Sequence, residues 1–154
     1  MSMPFSGGTF DVAYSMNVSM NIEDKPGLYA EIRRVLKPGG WLILSELARG
    51  TGGMLQYPTP WAASEATSFL ATPDETREGL TAAGFDVVLM RSTRDATLEF
   101  GARSRAMVER GEKAPHRSVM LIHEDLAKTA MANTARGVAE GAIEPVEILA
   151  RKRH

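Results

Sequence analysis

Residues 31–44 read Glu31-Ile32-Arg33-Arg34-Val35-Leu36-Lys37-Pro38-Gly39-Gly40-Trp41-Leu42-Ile43-Leu44. Leu28, Ile32, Val35 and Leu36 recur at helical spacing, and Asp24 and Pro26 stand where an N-cap and a first-turn proline belong, predicting a helix over 24–37. Pro38-Gly39-Gly40 ends that helix, because proline cannot continue the hydrogen-bond ladder and glycine accepts a left-handed cap. Trp41 to Leu47 is almost continuously apolar, the pattern of a strand covered on both faces in a parallel sheet. Upstream, Phe10-Asp11-Val12-Ala13-Tyr14-Ser15 follows the Gly7-Gly8 turn and reads as another strand. Strand, helix, Pro-Gly-Gly and buried strand make a βαβ unit, and so an α/β fold with a parallel strand pair.

The rest of the chain extends this pattern. A long Gly-, Pro-, Thr- and Ser-rich connection over 48–71 is a candidate functional loop with short helical pieces. Thr72-Pro73-Asp74-Glu75 is a capping box that opens a helix ending at Gly84, and Phe85 to Met90 is a strand. Residues 95–111 and 118–140 read as helices, and Val146 to Ala150 as a final strand. The expectation is a single domain, 1–154, with a variable loop at 48–71 and a helical insertion at 94–140.

Composition excludes several classes. The chain has 154 residues, 44% hydrophobic and 24% charged, with no cysteine and a formal net charge of −1. Disulfides, thiolate metal sites and a cysteine nucleophile are ruled out, and the composition fits a reducing cytoplasm. No apolar run approaches the ~20 residues of a membrane span. Residues 91–117 carry 7 basic and 4 acidic side chains. They lack the interleaved aromatics of a nucleic-acid surface and read as a solvated helical face, with some attraction for an anionic acceptor or partner. The histidines, His116, His123 and His154, have no metal-ligand spacing. Gly50-Thr51-Gly52-Gly53 follows a strand, but Leu55 occupies the place of the last glycine and the run leads into Tyr57-Pro58-Thr59-Pro60 instead of a helix. A phosphate loop needs that helix N-terminus, so none is expected.

What remains is positional. Ligands of open α/β sheets sit beyond the carboxyl ends of the strands, here Ser15-Met16-Asn17 and the stretch from Glu46 to Tyr57. Taken alone, those residues fit loop packing as well as ligand contact.

Met3-Pro4-Phe5, the strand 10–15 and residues 31–44 together resemble class I S-adenosylmethionine-dependent methyltransferases. The nearest types are the ubiquinone/menaquinone-biosynthesis-like and sarcosine/dimethylglycine enzymes. Pro58-Thr59-Pro60-Trp61 and Asn133…Gly141-Ala142-Ile143 resemble the latter. The resemblance implies a partial Rossmann-like sheet: strands 10–15, 41–47, 85–92 and 146–151 would be the fourth, fifth, sixth and seventh of seven. It further implies a C-terminal half that lacks its cofactor-binding half, is inactive alone and is unable to hold S-adenosylmethionine tightly. A non-catalytic dimerising module is the alternative, and a different small ligand near Glu46 to Trp61 a third. By the same resemblance, Ser15, Met16 and Asn17 neighbour the cofactor, while Glu46, Tyr57 and Trp61 face a small-molecule methyl acceptor. The unpaired edge at 10–15 implies a homodimer.

Overall fold

The computed structural model describes residues 2–112 and 126–154. Strand β1 (Phe10–Met16) is followed by a single 3-10 turn at Ser19–Asn21 and helix α1 (Lys25–Val35). The Asp24 side chain accepts the Gly27 N–H at 2.9 Å, the N-cap that the sequence shows. Strand β2 (Leu36–Arg49) begins as soon as α1 ends. The Pro-Gly-Gly run therefore lies inside a strand instead of separating two elements. Gly39 has φ +73, and the register against β1 jumps from Phe10↔Leu36 to Val12↔Trp41. The run is thus an irregularity within β2, where glycine supplies a conformation that other residues resist.

A second 3-10 turn, Glu65–Thr67, is the helical piece of the long connection. Helix α2 (Pro73–Ala82) carries the full capping box: Thr72 Oγ1 accepts from Glu75 N at 3.1 Å, and Glu75 Oε2 accepts from Thr72 N at 2.7 Å. Strand β3 (Phe85–Ser92), helix α3 (Arg94–Glu109), helix α4 (Ala127–Glu140) and strand β4 (Ile143–Lys152) complete the described elements. The expected helix over 118–140 lies partly outside the described residues; its described part is α4. His116 and His123 also lie outside them.

The strands form one sheet in the order β1-β2-β4-β3. β1 and β2 are parallel, as the βαβ reading requires, but β4 runs antiparallel to both β2 and β3. The core is continuous. Leu28, Tyr29 and Ile32 of α1 and Leu80 of α2 meet Leu42, Leu44 and Ala48 of β2, Phe85 of β3, and Val146, Ile148 and Ala150 of β4. The expectation of a partial sheet is corrected on this point. Four strands form one hydrogen-bonded sheet over one helix-covered core, a small sheet folded in its own right.

That core occupies one side of the sheet. Alternation along each strand sends Val12, Tyr14 and Met16 of β1 and Ile43 of β2 to the opposite side, where all are exposed. On that side β2 is open to solvent beside β1, at Ile43, whereas its apolar run predicts cover on both faces.

The amino-terminal segment is tied down by charge. Glu31 Oε1 accepts from Met3 N and Arg34 Nη2, each at 2.6 Å, and Glu31 Oε2 accepts from Arg34 Nε at 2.8 Å. Arg34 also donates to the Phe5 carbonyl at 2.8 Å. The Arg34 guanidinium, with the Met3 amide, lowers the Glu31 carboxyl from 4.5 to about 2. A carboxyl depressed by folding adds stability above its unfolded value, and that stability is lost as pH falls toward the folded value. Stability is thus expected to drop between about pH 4.5 and about pH 2, and Glu31→Gln to flatten that part of the profile. Urea unfolding across this interval, wild type against variant, checks it; parallel profiles would refute the clamp.

Candidate functional site

β1 and β2 run parallel, so their carboxyl ends lie together, and Met16 stands opposite Ser45. One residue further along β2, Glu46 points to the helix-covered side and is only 4% exposed. Its carboxylate gathers the end of β1 and the turn after it. Ser15 Oγ donates to Glu46 Oε1 at 2.9 Å, while the N–H groups of Val18 and Ser19 donate to Glu46 Oε2 at 3.0 and 3.1 Å. Asn17 N donates to Ser45 O at 2.9 Å, and Asn17 has φ +54, a left-handed conformation that asparagine tolerates. The turn is thus wrapped around a buried carboxylate, which leaves Met16 and Asn17 on the surface.

Lys25 closes the same region from below. Its Nζ donates to the carbonyls of Ser19 at 3.0 Å, Ile22 at 2.9 Å and Phe69. Phe69 N in turn donates to Met20 O at 3.0 Å. Lys25 therefore fastens the turn after β1 to the end of the long connection. Burial lowers its pKa, opposed by the charges of Glu46 and Glu75. Burial also pushes the Tyr29 hydroxyl up to about 12, with Glu46 adding to the shift. The sequence reading missed Lys25. A signal was present, since a cation in the first turn of a helix opposes the helix dipole and needs acceptors to hold it.

The other expected site residues lie apart from this cluster. Tyr57 is half-buried in a cleft of about 260 Å³ with Arg49, Met54, Leu55, Glu65 and Leu70. Trp61 Nε1 donates to Ser68 Oγ at 3.0 Å, and a bridge between Thr59 and Ala62 closes the turn around it. Asn133 of α4 donates to the Pro58 carbonyl at 2.9 Å and so links α4 to this loop. The structure brings Ser15, Asn17 and Glu46 together; it gives Tyr57 and Trp61 partners of their own. Gly50 and Gly52 serve packing. Their N–H groups donate to Ala142 O and Gly141 O at 3.0 and 2.9 Å, and a Cβ on either would collide with the carbonyl oxygens of Gly141 and Glu140. Among the described residues no group of acids and histidines could hold a metal ion, and no helix is long and apolar enough to cross a membrane.

Known proteins match this chain in two ways. The family described as "Methyltransferase domain" matches residues 1–44. A sterol 24-C-methyltransferase of Gibberella zeae is 48% identical over 40 residues, 26% of this chain and 10% of that protein. A phosphoethanolamine N-methyltransferase of Triticum aestivum is 40% identical over 48 residues, 31% of this chain and 10% of that protein. Among solved structures, a Haemonchus contortus phosphoethanolamine N-methyltransferase is in complex with phosphomonomethylethanolamine and S-adenosylhomocysteine. It matches 97% of this chain with a TM-score of 0.71 at 17% identity, and this chain covers 35% of it. A Galdieria sulphuraria protein assigned as a sarcosine dimethylglycine methyltransferase matches 98% with a TM-score of 0.73 at 17% identity, and 56% of it is covered.

At these identities the likeness establishes the fold, which is that of methyltransferases over nearly all of this chain. Three expectations are corrected by it. The expectation of a C-terminal remnant is corrected as to fold, since the match runs over 97–98% of this chain. The same match corrects the description of the sheet as truncated and lacking a cofactor-binding half. Against the expected inability to hold cofactor stand chains of this fold, matching 97–98% of this one, that are solved with S-adenosylhomocysteine, S-adenosylmethionine or substrate. As a matter of length, the chain spans about a tenth of the curated relatives and 35–56% of the two solved chains described.

Proposed function

We propose that this domain takes part in S-adenosylmethionine-dependent methylation of a small molecule. The observation that carries the reading is the turn built around Glu46. It stands at the carboxyl end of a parallel strand pair, in a fold shared with proteins solved in complex with the cofactor or its product.

The residues there suit the cofactor's chemistry. The Ser15 hydroxyl donates a hydrogen bond to Glu46 and keeps lone pairs to accept another. The Asn17 amide can donate and accept, and Met16, 60% exposed, offers a soft apolar surface. Ser15, Met16 and Asn17 are thus the proposed cofactor neighbours. Tyr57 and Trp61 on the long connection are the proposed acceptor side. Glu46, with both oxygens engaged, acts by fixing the turn on which the cofactor neighbours stand. When bound, S-adenosylmethionine supplies an electrophilic methyl group. The work of this chain is then to hold two partners in line and limit water, a contribution of orientation rather than proton transfer. The same reading includes a homodimer through the β1 edge at 10–15, supported by Tyr14, which is 74% exposed at the end of the sheet.

Isothermal titration with S-adenosylhomocysteine tests the reading. Saturable micromolar binding that weakens in Asn17→Ala supports it; an absence of heat with correctly folded protein overturns it.

A further inference from the structure

Resting on the cofactor reading just given, we infer that Lys25 is a positioning residue whose ammonium couples the turn carrying the cofactor neighbours to the loop carrying the acceptor side. Lys25 donates to carbonyls of two separate segments. Ser19 and Ile22 belong to the turn after β1, and Phe69 to the end of the long connection. An ammonium has three N–H donors and no acceptor, so every donor is used, and on both segments at once. Parting the segments leaves a half-buried cation short of a partner, which costs more than losing a neutral hydrogen bond.

Little slack remains on either side of Lys25. On the cofactor side, Ser19 is held through both of its backbone groups. Its N–H donates to Glu46 at 3.1 Å, and its carbonyl accepts from Lys25 at 3.0 Å. Val18 N, next to Asn17, donates to the same carboxylate at 3.0 Å. On the acceptor side, Phe69 is likewise held twice, its carbonyl by Lys25 and its N–H by Met20 O at 3.0 Å. The residue before it, Ser68, is buried and accepts from Trp61 Nε1 at 3.0 Å.

A continuous run of hydrogen bonds and adjacent residues thus joins Asn17 to Trp61, by way of Val18, Ser19, Lys25, Phe69 and Ser68. A ligand that orders the turn then orders the loop as well, and by linkage the effect is reciprocal. Cofactor and acceptor bind with positive cooperativity, each lowering the ordering cost of the other. A second tether provides the contrast. Asn133 of α4 donates to the Pro58 carbonyl at 2.9 Å and holds the same loop, but from outside this run.

The chain has two tryptophans, so Trp41→Phe leaves Trp61 as the sole indole reporter. In the full chain with Trp41→Phe, S-adenosylhomocysteine is expected to shift Trp61 emission with the same midpoint as the calorimetric titration. Adding Lys25→Met, which keeps the stem and removes all three donors, is expected to abolish the emission change while the heat of binding persists. Adding Asn133→Ala instead should leave the emission change in place. An emission change that survives Lys25→Met, or that is lost equally in Asn133→Ala, overturns the coupling through Lys25 and leaves the cofactor reading standing. So does heat without an emission change when Lys25 is present, or binding lost in folded Lys25→Met. An absence of heat in the folded, unsubstituted chain overturns both. Hydrogen exchange in the unsubstituted chain decides the matter should Lys25→Met fail to fold. S-adenosylhomocysteine is expected to slow exchange at the Phe69 N–H at least about fivefold, the low end of coupling between sites, together with Val18 and Ser19. Slowing confined to Val18 and Ser19 overturns the inference.

Discussion

Leu44→Ala is expected to destabilise the fold by about 2–5 kcal/mol, the range for truncating a fully packed leucine. Leu44 is 1% exposed and sits mid-strand in β2, with Ile148 opposite it on β4 and the α1–α2 layer above. β2 is the strand that carries the fold, paired on one side with β1 and on the other with β4. A cavity at its centre loosens both pairings together and cannot be closed by a loop. Single domains are stable by roughly 5–15 kcal/mol in total, so this one change removes a large share. Leu44→Met, which conserves volume, should cost less than about 1.5 kcal/mol. Urea unfolding of the pair decides the matter, and equal midpoints would show that the position is not tightly packed.

Glu46→Ala is expected to cost about 2–4 kcal/mol, because it strips acceptors from the Ser15 hydroxyl and the Val18 and Ser19 N–H groups at once. Unsatisfied buried donors cost about 1–3 kcal/mol each, and the turn recovers part of this by opening to water. Glu46→Gln should be far milder. Its amide oxygen can still accept from the two N–H groups, and its NH₂ can donate to Ser15 Oγ, which also accepts. Hydrogen exchange at Val18 and Ser19 reads the difference directly: fast in the alanine variant, close to wild type in glutamine. Equal protection in all three proteins would show that the turn holds without the carboxylate.

Features that depend on near neighbours in sequence were legible beforehand. The Asp24 cap, the Thr72–Glu75 capping box, the parallel β1–α1–β2 unit and strand β3 all follow from residues a few positions apart. Pro38-Gly39-Gly40 misled, because the same residues that stop a helix also permit an irregular strand start, and only the pairing of Phe10 with Leu36 decides between them. The antiparallel course of β4 has no local mark, since Val146 to Ala150 is apolar in either direction. In the site, Ser15, Met16 and Asn17 could be singled out as a strand's carboxyl end. The partners of Glu46 could not, since they lie 27 to 31 residues away. Lys25 showed only its misfit with the helix dipole; the acceptor that ties it to the long connection, Phe69 O, is 44 residues distant.

The apolar patch left open on β1 and β2 reaches into the thermodynamics of the protomer. Apolar surface exposed on unfolding dominates the heat-capacity change, about 12–15 cal/mol/K per residue in ordinary domains. Val12, Tyr14, Met16 and Ile43 remain open to solvent in the folded protomer and add little to that change. The heat capacity of unfolding should fall below the usual figure, and the curve of stability against temperature should be correspondingly flat. Cooling would then weaken the protomer less than it weakens a domain of the same length whose sheet leaves no such patch open.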